Sequence, residues 1–155
     1  MNKIHVYDDT IHPCTACGHC RDVFGCVFDD CMAPLYEKIR DSDAVIISSP
    51  VYFSSLPGQL KNLIDRCQVL WEQKERDKNS IRAKFGFLIL TAGSNYKDAF
   101  RPSFTISKHF FHTLRASFDK SCCIFLPGVD TINELAPAMI ESYKKTSEEF
   151  LKKMH

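Results

Sequence analysis

Residues Asp43 to Cys67, DAVIISSPVYFSSLPGQLKNLIDRC, carry the reading that decides the fold. Ala44-Val45-Ile46-Ile47 is continuously apolar and mostly β-branched, which suits a strand buried on both faces of a parallel sheet. The run stops at Ser48-Ser49-Pro50, because proline donates nothing to a ladder and biases Ser49 away from helix. A loop from Val51 to Ser55 follows, and then a helix. Ser55 offers an N-cap oxygen, Pro57 suits a first turn, and Leu60, Leu63, Ile64, Cys67 and Leu70 or Trp71 recur at helical spacing. Strand, exposed loop and helix in that order place Pro50, Val51, Tyr52 and Phe53 at the carboxyl end of a central strand, where open α/β sheets bind ligands. Read alone, Tyr52 and Phe53 are equally loop aromatics that anchor the helix start.

Upstream, Lys3 to Tyr7 (KIHVY) alternates weakly and reads as a short strand running into Asp8-Asp9. Met32 to Arg40 reads as a short helix with Asp29 and Asp30 near its positive end. Downstream, the charged segment Trp71 to Ala83 reads as a solvated helix end and a mobile loop. Lys84 to Leu90 (KFGFLIL) is a further strand, ended by Thr91, Ala92, Gly93, Ser94 and Asn95, a small-residue loop that lets a ligand approach the backbone. Asp98 to Phe118 reads as a helix interrupted or entered at Pro102, with Phe104, Phe111, Leu114 and Phe118 for the core. His109 and His112 on it read as surface or packing histidines, since no third metal ligand is nearby. Cys122 to Leu126 (CCIFL) is the last strand, with its vicinal cysteines read as core. Asn133 to Met154 places Leu135, Met139, Tyr143, Thr146, Phe150 and Met154 on one helical face. Strands alternating with helices imply an α/β three-layer sandwich around a parallel sheet, in a single domain over residues 1–155.

Twenty Lys and Arg oppose 19 Asp and Glu, a net of +1 with no basic stripe, so nucleic acid is not an expected partner. No apolar stretch approaches a membrane span, and residues Met1 to His5 lack a signal-peptide core, which implies a cytoplasmic protein with no membrane partner. Eight cysteines in a reducing compartment point to metal or redox chemistry rather than disulfides. Four of them, Cys14, Cys17, Cys20 and Cys26, fall in PCTACGHCRDVFGC with spacers of two, two and five. So compact a loop wraps a four-thiolate iron-sulfur cubane well; zinc, which favours two separated pairs, and reduced structural thiols are the alternatives. The bacterial ferredoxin run would place proline after its last cysteine, and here Val27 follows Cys26. Cys31 is a spare ligand candidate, and Cys67 reads as a core residue of its helix.

The stretch SPVYFSSLPGQLKNLIDR, Ser49 to Arg66, resembles the flavodoxin-like NAD(P)H-dependent FMN reductases, and the cysteine loop resembles that of their iron-sulfur flavoprotein branch. The resemblance implies a flavodoxin-like parallel sheet with FMN bordered by Pro50, Val51, Tyr52, Phe53, Ala92, Gly93 and Ser94. It also implies a 4Fe-4S cluster on Cys14, Cys17, Cys20 and Cys26, NAD(P)H as co-substrate, and small-molecule electron donors and acceptors as partners. No side chain is required as an acid or base, because the flavin carries the chemistry. The family opens with a strand and a phosphate-binding loop that this sequence does not contain, and Lys3 to Tyr7 matches the family's second strand. The expectation is therefore an N-terminally truncated sheet of four strands. Either Lys3 to Tyr7 pairs directly with Ala44 to Ser48, or that edge is covered by another chain in a homo-oligomer. Two functions follow: an FMN-dependent NAD(P)H oxidoreductase, or a shortened non-catalytic relative serving as a cluster or binding module.

Overall fold

The computed structural model of the chain describes residues 2–7, 10–96, 98–131 and 134–154. The central strand forms as the sequence dictates, β1 over Ala44–Pro50, and it pairs in parallel with β2, Lys84–Ala92, from Ala44 opposite Phe85 to Pro50 opposite Thr91. On the other edge of β2 two short strands follow one another: β3, Ala116–Ser117, beside Lys84 and Phe85, and β4, Cys123–Pro127, beside Leu88 to Ala92. All four strands are parallel, and β2 lies between β1 and the β3–β4 column.

Helices α1 (Ala33–Asp41), α2 (Gly58–Arg66), α3 (Gln68–Arg76) and α4 (Arg101–Thr113) contribute to the larger core, on one face of the sheet. That core joins Ile47, Leu88 and Leu90 to Leu35, Leu63, Leu70, Phe111 and Leu114. Gly86 is required there, because a Cβ would lie 2.7 Å from the Phe111 ring. The opposite face is covered by α5, Pro137–Lys153, whose Phe150 packs with Phe87, Cys122 and Ile124. The result is the expected α/β three-layer sandwich. Its second face is only partly roofed: Ile46 of β1 remains 51% exposed there, and Ile140 and Leu151 of α5 are exposed. Among the described residues no helix is long and apolar enough to cross a membrane.

Several expectations are corrected. Lys3 to Tyr7 forms no strand; of this segment Val6 packs against the core, and Asp8-Asp9 lie outside the described residues. The fourth strand is instead Ala116–Ser117, and β1 is paired only by β2 among the described residues. The alternation in KIHVY was too weak to specify a register. The helix after the aromatic loop does not run unbroken to Trp71, but breaks at Cys67, whose N–H is shared at 3.1 Å between the Leu63 and Ile64 carbonyls. The charged segment after Trp71 is not all solvated: α3 continues to Arg76, Ile81 is fully buried, and Lys74 is only 9% exposed. The Lys74 stem carries its ammonium over the Trp71 ring at 4.2 Å and donates to the His112 carbonyl, so its charge stays satisfied. The expected start of the last helix, Asn133, lies outside the described residues. His109 and His112 are exposed on α4, and Cys122 is buried.

Candidate functional site

The two loops singled out in the sequence leave the sheet side by side. Pro50 is the register partner of Thr91, and the Val51 N–H donates to the Thr91 carbonyl at 2.7 Å. Pro50–Phe53 and Ala92–Ser94 therefore adjoin at the carboxyl edge of β1 and β2. Tyr52 and Ser55 exchange both backbone hydrogen bonds at 2.9 Å, closing a two-residue turn over Phe53 and Ser54 at φ 50° and 61°. Positive φ at both positions is the mirror turn that favours Asn-Gly. A non-glycine residue there is disfavoured by roughly 1–2 kcal/mol. Phe53 is fully exposed, so packing does not offset that strain. Tyr52 and Tyr96 are also exposed, and the edge thus presents three aromatic side chains to solvent. Strained backbone under an exposed aromatic group is not explained by packing, and it lies at the carboxyl end of the strands, where open α/β sheets bind ligands.

The second loop differs in detail from its reading as an open backbone approach. Ala92 is buried and Ser94 exposed, and a Cβ on Gly93 would fall 2.1 Å from the Asp130 carboxylate. Gly93 makes room for Asp130, which arrives on the loop after β4. That loop is joined to the second by Gly128 N–H donating to the Ser94 carbonyl at 3.4 Å. Three loops, not two, meet at this edge.

The four loop cysteines line one cleft of about 170 Å³, together with Phe28, Arg66, Val69 and Glu72. Cys14 and Cys17 are exposed, Cys20 and Cys26 half-buried, and none is in a disulfide. The loop curls around the cleft through positive φ at Ala16 and Gly18 and a short 3₁₀ turn, His19–Arg21. Arg76 of α3 holds that turn by donating to the Arg21 carbonyl at 2.7 Å. Burial pushes the Cys20 thiol up, aided by the Glu72 carboxylate and by Cys14 and Cys26. Among the described residues no three Cys, His, Asp or Glu side chains converge on a single ion. A cubane takes its thiolates at separate outer corners, so four thiols spread around one cavity fit a cluster in donor chemistry better than they fit zinc. Cys31 is exposed and outside the cleft lining. Burial pushes Cys67 up to about 12, leaving an inert core thiol.

Sequence reasoning missed Arg66. It is 1% exposed, ends α2, lines the cysteine cleft and grips Asp30 through Nη1 at 2.6 Å and Nη2 at 3.0 Å. Burial would raise the Asp30 carboxyl, but Arg66 and the backbone N–H groups of His12 and Met32 outweigh it and hold the group below its ordinary range. The signal was available: Leu60, Leu63 and Arg66 recur every three residues, which sets a cation on the apolar stripe of the helix.

The sequence model of the family described as NADPH-dependent FMN reductase matches residues 2–118. An iron-sulfur flavoprotein of Methanosarcina thermophila is 41% identical over 53% of this chain and 43% of its own length. An iron-sulfur flavoprotein of Archaeoglobus fulgidus is 41% identical over 43% of this chain and 30% of its own length. An FMN-dependent NADH:quinone oxidoreductase of a Shewanella strain is 35% identical over 41% of this chain and 34% of its own length. The match thus spans less than half the length of each of these relatives. With most of its length matched by the family model, the chain belongs to the NADPH-dependent FMN reductase family.

Proposed function

We propose that the protein is an FMN-dependent NAD(P)H oxidoreductase of the iron-sulfur flavoprotein type, working in the cytoplasm on small-molecule electron donors and acceptors. The observation that carries the reading is the shared carboxyl edge, where Pro50–Phe53 and Ala92–Ser94 adjoin and an exposed aromatic turn is held in strained backbone. Tyr52 and Phe53 would border the flavin ring, and Cys14, Cys17, Cys20 and Cys26 would hold a 4Fe-4S cluster in their common cleft. When bound, the flavin supplies hydride acceptance from the nicotinamide, and the cluster supplies single-electron transfer. The chain's own residues orient: the turn fixes the Phe53 backbone by the two bonds between Tyr52 and Ser55, and the thiols would hold the metal. Thiols of unraised pKa ligate most readily, and burial sets Cys20 against this, so cluster assembly is favoured by mild alkalinity.

We further propose a homo-oligomer. The outer edge of β1 has no partner among the described residues, and Ile46 stands exposed beside it; an open apolar edge of this kind favours association. Sedimentation at micromolar concentration tests this, and a monomer with that edge open would contradict it. For the flavin, the test is titration of the full chain with FMN, followed by fluorescence quenching. Phe53→Ser should weaken binding roughly tenfold or more, the loss of about one stacking contact. Equal affinity in the wild type and in Tyr52→Ser and Phe53→Ser variants would contradict the placement.

A further inference from the structure

The cysteine loop is tied at its neck by groups that ligate nothing. His12 stands just before the cysteines and Asp30 just after them, and the His12 N–H donates to Asp30 Oδ2 at 3.0 Å. Arg66 arrives from α2 and completes the knot: Nη1 donates to the His12 carbonyl at 3.0 Å and to Asp30 Oδ2 at 2.6 Å, and Nη2 to Asp30 Oδ1 at 3.0 Å. The Phe28 ring stacks on the guanidinium at 5.1 Å. All four cysteines of the loop lie between the tied ends.

The buried Tyr36 hydroxyl lies against the same guanidinium. Arg66 lines the same cleft as the four thiols. A cation placed there suits anionic sulfur, because a cluster on four thiolates carries net negative charge and nearby charge helps set its potential.

We propose that Arg66 is a positioning residue for a thiolate-ligated iron-sulfur cluster in this cleft. Its grip on Asp30 and His12 keeps the neck closed so that the four cysteines face one cavity, and its positive charge lies against that cavity. This rests on the cluster reading given above, and goes beyond it by assigning to a residue outside the loop the retention and potential of the cluster.

The test uses the full chain reconstituted without oxygen from ferrous iron and sulfide. Iron and sulfide per chain, the half-life of the cluster under an iron chelator, and its midpoint potential are measured for the wild type, Arg66→Gln and Arg66→Lys. Both variants should lose iron at least roughly tenfold faster than the wild type. The Arg66→Gln midpoint should move to more negative values, since removing a cation destabilises the reduced cluster more than the oxidised one. A purely structural role would lower melting temperature without moving the potential. Wild-type lifetime and potential in Arg66→Gln would overturn the proposal. Should that variant not fold, Arg66→Lys, which keeps the charge and loses the fork, decides it by lifetime alone. A wild-type chain that takes up no iron overturns the cluster reading itself, a distinct failure that removes the role with it.

Discussion

The aromatic turn and the cysteine cleft lie towards opposite ends of α2, a helix about 13 Å long at 1.5 Å per residue, and they hold their groups in contrasting ways. At the turn the backbone does the positioning, through paired bonds between Tyr52 and Ser55, while the rings stand free in solvent. At the cleft a buried ion pair, Arg66 with Asp30, fixes the ends of the loop, and the four thiols hang between them. The difference suits the ligands each would meet. A planar ring needs an open face on which to stack, whereas a cluster needs several thiolates held around one cavity.

That contrast can be broken most severely at the ion pair. Asp30→Ala leaves the Arg66 charge buried without its partner and should destabilise the fold by about 3–5 kcal/mol in urea titrations. The same pair makes the cleft acid-sensitive. The folded Asp30 carboxyl is held below its ordinary value of 3.8, so the unfolded chain takes up the proton first. The stability Asp30 contributes is therefore complete above that value and is lost as the pH falls below it. Urea midpoints followed from neutral pH into acid should show this loss in the wild type and a shallower one in Asp30→Asn. A smaller effect sharpens the comparison on the sheet itself. Gly86→Ala drives a Cβ into the Phe111 ring and should cost about 1–3 kcal/mol. Gly93→Ala meets only the end of the exposed Asp130 side chain, which can swing away, and should stay within about 0.5 kcal/mol. At the turn the sign reverses: Phe53→Asn relieves left-handed strain and should stabilise the fold by up to about 1 kcal/mol while weakening flavin binding. A Phe53→Asn variant less stable than the wild type would mean that the ring is packed after all.

What the sequence disclosed and withheld follows from which forces are local. Ala44–Pro50, Lys84–Ala92 and Cys123–Pro127 were legible because runs of apolar, often β-branched residues ended by Pro or Gly read the same way in any context. The side-by-side placement of the two edge loops followed from parallel pairing alone. KIHVY misled because a weak alternation carries no information about whether a partner strand accepts it. Lys74, Ile81 and Arg66 lay hidden because their burial depends on distant partners: the Trp71 ring and the His112 carbonyl for Lys74, and Asp30 with His12 for Arg66. The cysteine spacing named the four thiols, but the residue that ties their loop sits on another element and could be flagged only as a cation on an apolar helix face. Asp130 over Gly93 had no local signal of any kind.

The most direct test of a flavin edge joined by one helix to a cluster cleft is the absorption spectrum of protein purified and kept without oxygen, taken with iron and sulfide analysis of the same sample. The account predicts flavin bands together with a broad cluster absorbance that bleaches on reduction, with about four iron and four sulfide per chain, and loss of the cluster absorbance alone in Cys14→Ser, Cys17→Ser, Cys20→Ser or Cys26→Ser. Protein that carries neither iron nor sulfide and gains none on reconstitution would contradict it.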